Sequence, residues 1–301
     1  MMKKESSFTH HRITESAHHR IIMRLINFNG SVQSENIPLV YAWNRAFRYG
    51  DGLFESIAVG EKSIPFFDDH WSRLTQAAQL LSLELPINFT KEFLRKAIPE
   101  LLSLNTISGN AYARVMLYRE GRGRYAPDEM QAGFMLEVEP IQGALFQLNE
   151  KGLNIGLFTD VSKSVDQLSN FKTNSAVAYV LASIHKTKMG FDDCLLLNTR
   201  SNICDSTNSN VFLVKDKIIS TPALSEGCIN GVMRKQVITL ANENGFSVNA
   251  TAIEAEMLRH ADEVFLTNAV NGIRWVHRYG NKEYDHKIAS TLSGALKKRV
   301  S

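Results

Sequence analysis

Short apolar runs that alternate with polar residues, each closed by a turn signal, begin at Met23 and recur to about Glu139. A period of two sends successive side chains to opposite faces of a pleated ribbon, so this pattern predicts an antiparallel sheet. Arg24–Phe28 runs into Asn29-Gly30, and Leu53–Val59 runs into Gly60-Glu61-Lys62 ahead of Ile64–Phe67. Both read as hairpins, because glycine supplies the positive φ of a tight turn. After Asp68 and Asp69 the period changes: Leu74, Ala77, Ala78 and Leu81 fall at i, i+3, i+4 and i+7, which predicts a capped amphipathic helix. A second helical stretch, Lys91–Leu104, contains Pro99 and is expected to bend or break there, since proline lacks the backbone donor. Strands resume at Asn110–Arg119 and Gly133–Glu139.

Pro140–Lys151 mixes Pro, Gly and polar residues without a clean period, and this places a linker at 140–151. Beyond it come a strand at Leu153–Thr159, a helix from about Asn174 to Lys188, and strands at Asp193–Asn198 and Asn210–Val214. A helix over Gly231–Asn244, a strand at Glu263–Thr267 and a helix near Lys287–Lys298 complete the half. Both halves mix sheet and helix, so the expected fold class is α+β in two domains, 23–139 and 152–301, with a ligand site between them. A length of 301 residues agrees with that division. Residues 1–22, with His10, His11, His18 and His19, read as a flexible tail rather than a metal site, because no acidic or cysteine partner completes one.

Composition removes several function classes. The net charge of +3 is small for the length, and much of the basic excess sits in the first two dozen residues, which argues against a nucleic-acid surface. No run approaches the roughly 18–20 apolar residues that span a bilayer, and the start lacks the apolar core of a secretory signal. Cys194, Cys204 and Cys228 are odd in number and form no CxxC pair, which suits a reduced, cytoplasmic setting and no structural metal.

Four islands carry candidate chemistry. Asn44–Ser56 (NRAFRYGDGLFES) places Asp51 between glycines at the mouth of a strand, either facing a ligand or closing a plain turn. Arg73, in HWSRL, could fork onto a phosphate or stand on the surface. Lys172, in LSNFKTNSAVA, reads as a lysine at a helix entrance; in dry surroundings it would lose its proton and become able to form a Schiff base. Gly227–Arg234 (GCINGVMR) opens into a helix whose first N–H groups suit a phosphate, although it is neither GxGxxG nor a P-loop.

Taken together and in order, YGDGLFE, HWSRL, FKTN, DSTNSNVF, GVMR and ADEVFLTNA resemble the class IV aminotransferases, a family of branched-chain and D-amino acid aminotransferases and aminodeoxychorismate lyase. The resemblance runs from about Met23 to the C-terminus. It implies the two-domain fold-type IV arrangement, pyridoxal 5′-phosphate (PLP) in the interdomain cleft, and a homodimer. By resemblance Lys172 carries the cofactor and moves protons. Arg73, Asn208, Val232, Met233, Thr267, Asn268 and Ala269 surround the cofactor and its phosphate, and Asp205 stands where the family has a glutamate facing the pyridine nitrogen. Aspartate is one methylene shorter, which requires a closer ring or a bridging water.

Within the family three features resemble the lyases. Ser56 offers a hydroxyl where those enzymes have threonine, INGVMR is similar to their loop, and REGRGRY (Arg119–Tyr125) is similar to their Gly/Arg-rich segment. Arg122, Arg124 and Tyr49 are then expected on the substrate, with Ser56 relaying a proton. Val177 stands where branched-chain aminotransferases have tyrosine. The expected activity is therefore 4-amino-4-deoxychorismate lyase, giving 4-aminobenzoate and pyruvate. The alternatives are a transaminase for D-amino or branched-chain amino acids with a 2-oxo acid acceptor, and a non-catalytic paralogue.

Overall fold

The computed structural model describes residues 24–300, so the expectations for residues 1–22 and for Met23 lie outside the described residues. Strands β1 (Leu25–Phe28) and β2 (Ser31–Ser34) form the expected hairpin, with Asn29 and Gly30 both at positive φ. A short helix α1 (Arg45–Tyr49) and strand β3 (Gly52–Val59) follow, then helices α2 (Phe67–Leu80) and α3 (Lys91–Leu104). Strands β4 (Ala111–Arg119) and β5 (Ala132–Pro140) complete an antiparallel sheet of order β2-β1-β5-β4-β3.

Three local expectations are corrected. Ile64–Phe67 is no second arm of a hairpin: the Gly60 N–H donates to the Ser63 carbonyl at 2.8 Å, and the chain turns directly into α2 at Phe67. Asp68 and Asp69 do not cap α2 but sit in its first turn, where negative charge is favoured by the helix dipole. Helix α3 runs unbroken through Pro99, because that residue lies on the exposed face, where the unpaired Arg95 carbonyl meets water. Its start is capped by Thr90, whose side chain accepts from the Phe93 N–H. The inward stripes of the two helices, Leu74, Ala77 and Ala78 with Leu94, Ile98 and Leu101, bury against Leu53, Ile57, Val115 and Leu136 of the sheet.

Residues 141–152 carry the chain to a second sheet. Phe146 in this segment is 1% exposed and stacks with Phe66, so the crossing is packed down along part of its length. There follow β6 (Leu153–Lys163), α4 (Val177–Met189), β7 (Asp193–Asn198), β8 (Ile203–Ser206), β9 (Asn210–Lys215) and β10 (Ile218–Pro222). Next come α5 (Val232–Glu243), β11 (Val248–Thr251), α6 (Met257–His260), β12 (Glu263–Asn268), β13 (Gly272–Tyr279), β14 (Lys282–Glu283) and α7 (Lys287–Val300). The strands join in the order β11-β10-β9-β12-β13-β6-β7-β8, with β14 beside β13 and both parallel and antiparallel pairs present. Phe212, Val214 and Phe265 face α5 and α7, while Val211, Leu213, Val264 and Leu266 face the opposite core. Burial on both faces explains why β9 and β12 read as continuous apolar runs.

Candidate active site

A cavity of about 930 Å³ opens between the outer face of the first sheet and the loops and helix start of the second. The alternation in β3 and β4 builds one wall. Phe54, Ser56, Tyr112 and Arg114 line the cavity, while their neighbours Leu53, Ile57, Ala113 and Val115 fill the core behind. Ser56 and Arg114 are direct cross-strand partners, and the Ser56 and Tyr112 hydroxyls lie 3.3 Å apart.

Lys172 also lines the cavity, but not at a helix entrance as expected. It lies five residues before α4 in an extended segment stitched to the edge of β3. The Phe54 N–H donates to the Lys172 carbonyl at 2.8 Å, and the Asn174 N–H donates to the Gly52 carbonyl at 2.9 Å. Glycine is required at 52, because a Cβ there would stand 2.5 Å from the Leu117 carbonyl oxygen. The Lys172 amine sits 4.6 Å from the centre of the Phe54 ring, and the Arg114 guanidinium 4.0 Å from the same centre.

Burial, reinforced by the charge of Arg73 and opposed by Glu55 and Asp205, brings the Lys172 amine down to about 8. A protonated amine cannot attack a carbonyl. The cofactor-free protein is therefore expected to capture an aldehyde at a rate that rises about tenfold with each pH unit as pH climbs toward 8 and flattens above it. Absorbance stopped flow checks this, and a rate independent of pH between 6 and 9 would refute it.

Arg73 is held by a residue the sequence did not single out. Positions 70 and 73 share one face of α2, and both point at Glu55 on β3. Arg73 Nε and Nη2 donate to the two Glu55 oxygens at 2.7 Å each, His70 Nδ1 lies 2.8 Å from Oε2, and Arg73 Nη1 donates to the Asn230 carbonyl at 2.9 Å. Glu55 is 2% exposed. Three of the five guanidinium N–H donors are thus committed to aiming Arg73 at the cavity wall.

Opposite stand the remaining expected cofactor residues. Asp205 on β8, Asn208, Thr267 and Asn268 at the end of β12, Ala269, and Val232 and Met233 in the first turn of α5 all line the same cavity. The start of α5 has Gly231 as N-cap and no side-chain cap; a Cβ on Gly231 would collide with the Asn210 side chain. Thr267 Oγ1 is buried with no hydrogen-bond partner. An uncapped helix start, an orphaned buried hydroxyl and an arginine around one space fit a phosphate, and the lysine beside them fits an aldehyde. The residues present therefore fit PLP.

Arg122, Arg124 and Tyr49 lie outside this cavity. The buried Arg45 guanidinium donates to the carbonyls of Arg122, Gly123, Arg124 and Tyr125, which turns the loop backbone inward and leaves both arginine side chains exposed. Arg122 stacks on Trp43, and Tyr49 packs near Tyr125. Asp51 pairs with Arg45 and Arg119, so its turn has a structural role. Val177 is 67% exposed and does not reach the site; Tyr179 does, and its hydroxyl donates to Asp205 at 2.9 Å. Among the described residues, no cluster suits a metal ion and no helix is long and apolar enough to cross a membrane.

Residues 52–279 match the family described as amino-transferase class IV. A Methanocaldococcus jannaschii protein with a provisional branched-chain-amino-acid aminotransferase name is 26% identical over 91% of this chain and 94% of its own. The aminodeoxychorismate lyase of Vibrio harveyi is 27% identical over 81% of this chain and 88% of its own. An aminotransferase from Brucella abortus, solved with PLP bound, superposes with a TM-score of 0.79 at 24% identity, covering 92% of this chain and 98% of that one.

Proposed function

Because the chain belongs to the class IV aminotransferases, a PLP-dependent family of transaminases and lyases, we propose that it acts as a 4-amino-4-deoxychorismate lyase. In that reaction the substrate loses its enolpyruvyl group as pyruvate and becomes aromatic 4-aminobenzoate. The observation that carries this reading is the hydroxyl pair of Ser56 and Tyr112 on the cavity wall beside Lys172 and Arg114. Loss of a proton and of a carboxylate-bearing leaving group asks for a base, a hydroxyl to relay the proton, and a cation for the carboxylate.

When bound, PLP supplies an electron-withdrawing ring that makes the carbon bearing the substrate amine acidic. Lys172 then takes the proton from that carbon, the ring C–O bond to the enolpyruvyl group breaks as the ring becomes aromatic, and Ser56 relays the proton to the departing enolpyruvate, which becomes pyruvate. Arg114 holds a substrate carboxylate, and the Phe54 ring contacts both it and Lys172. Arg73, the first turn of α5 and Thr267 hold the phosphate. Arg122 and Arg124 are exposed and outside this chain's cavity, so their role on substrate requires a homodimer that brings them to the cavity of a second copy. Such a homodimer has support in α4, where Val177, Val180, Leu181 and Ile184 form an exposed apolar stripe at i, i+3, i+4 and i+7. Sedimentation is expected to give twice the mass of the chain, and a monomer at micromolar concentration would remove this part of the proposal.

A transaminase is the second reading, favoured by the longer match to the relative named for branched-chain amino acids. The two part in one assay. Purified protein is given 4-amino-4-deoxychorismate and, separately, L- and D-amino acids with 2-oxoglutarate. Release of 4-aminobenzoate with equimolar pyruvate is the expected result, whereas amino-group exchange alone overturns the lyase.

A further inference from the structure

Asp205 is already fully engaged. Its Oδ2 accepts from Lys163 Nζ at 2.7 Å and the Tyr179 hydroxyl at 2.9 Å, its Oδ1 accepts from Asn210 Nδ2 at 3.1 Å, and the Ile229 N–H is shared between Oδ2 at 3.1 Å and Oδ1 at 3.3 Å. Four donors match the roughly four lone-pair sites of a carboxylate. A protonated pyridine would be a fifth donor and would have to displace one of them. An unprotonated pyridine is an acceptor and cannot pair with a carboxylate at all.

Lys163 is the other occupant of this corner. Its side chain is 9% exposed and lines the cavity at the end of β6. An ammonium has three N–H donors. One goes to Asp205 and a second to the Ser169 carbonyl at 2.9 Å; the third has no oxygen or nitrogen partner among the described residues, and the centre of the Tyr179 ring lies 5.3 Å from Nζ. The lysine also matches the charge of Asp205, so the pair presents no net negative charge to draw a proton onto a nearby ring nitrogen.

Resting on the reading that PLP binds with its ring nitrogen toward Asp205, we propose that Lys163 is the hydrogen-bond partner of that nitrogen. It donates its third N–H to an unprotonated pyridine, and Asp205 fixes the ammonium in place rather than protonating the ring. The shorter acid leaves room for the lysine head, which answers the missing methylene. Electron withdrawal then comes from a charge-assisted hydrogen bond instead of a ring proton.

The test uses holoenzyme reconstituted with PLP carrying 15N in the ring, read by the 15N shift. Wild type and K163R are expected at the position of a hydrogen-bonded neutral pyridine. K163M strips the charge match from Asp205 and is expected to move the shift toward pyridinium, while D205N leaves it neutral. A pyridinium shift in wild type, or a K163M shift equal to that of wild type, overturns the proposal; the wild-type spectrum decides even if a variant fails to fold. Borohydride reduction and peptide mass spectrometry separate the two failures. Cofactor fixed on Lys172 with a pyridinium ring sinks only the role of Lys163, whereas cofactor fixed elsewhere sinks the site reading and this proposal together.

Discussion

Replacing Lys172 by alanine is expected to abolish turnover of amino acids and of aminodeoxychorismate alike, with the rest of the fold intact. The lysine edge strand is held by backbone bonds from Phe54 and to Gly52, so truncating the side chain leaves the segment registered. Loss of proton transfer alone is worth on the order of 10²–10⁴-fold in rate, and loss of the covalent attachment adds to it. Product assays check the rate, and borohydride followed by mass spectrometry checks the attachment. A Lys172→Ala protein that keeps a tenth of the wild-type rate would show that another group serves as base.

The second large effect falls on stability. Glu55→Ala leaves the Arg73 guanidinium buried beside His70 without its carboxylate, and removal of one partner from a buried pair costs about 3–5 kcal/mol. Urea unfolding should show that loss, along with weaker retention of PLP, because Arg73 is no longer aimed. Acid acts through the same group. Burial pushes the Glu55 carboxyl up, but the charge of Arg73 and hydrogen bonds from His70 and Arg73 outweigh it and bring it from 4.5 to about 2. A carboxylate lowered on folding stabilises fully above its unfolded value, and that contribution fades as pH falls from 4.5 through about 2. The contribution is on the order of 3 kcal/mol. Between pH 5 and pH 2.5 wild type should therefore lose more unfolding free energy than Glu55→Ala. Equal losses would remove Glu55 from the acid response.

Much of this was legible in the residue pattern. Strand β7 and helix α5 lie where periodicity put them; Lys172, Arg73 and the α5 entrance line one cavity, and it was the family resemblance that grouped them. What escaped depends on contacts distant in sequence. Glu55 sits in an ordinary alternating strand, and its value comes from a helix face 15 and 18 residues on. Lys163 lies in the polar run TDVSKSVD, which reads as a solvated strand end, yet its partner is 42 residues away. Strands β8, β10, β11 and β13 are short or interrupted by charge and are fixed by neighbours across the sheet. Tyr179, seven residues after Lys172, stood in the sequence as an aromatic signal, and only helical geometry shows that it reaches Asp205.

The attachment of residues 172–174 to β3 reaches beyond the site. Lys172 and Arg114 belong to different halves of the chain, yet their relative placement is set by backbone pairing on the two edges of β3, which side-chain exchange in the interior leaves in place. Interior residues of either half can therefore drift while the reacting groups keep their spacing. Neither half expressed alone could assemble a working pocket.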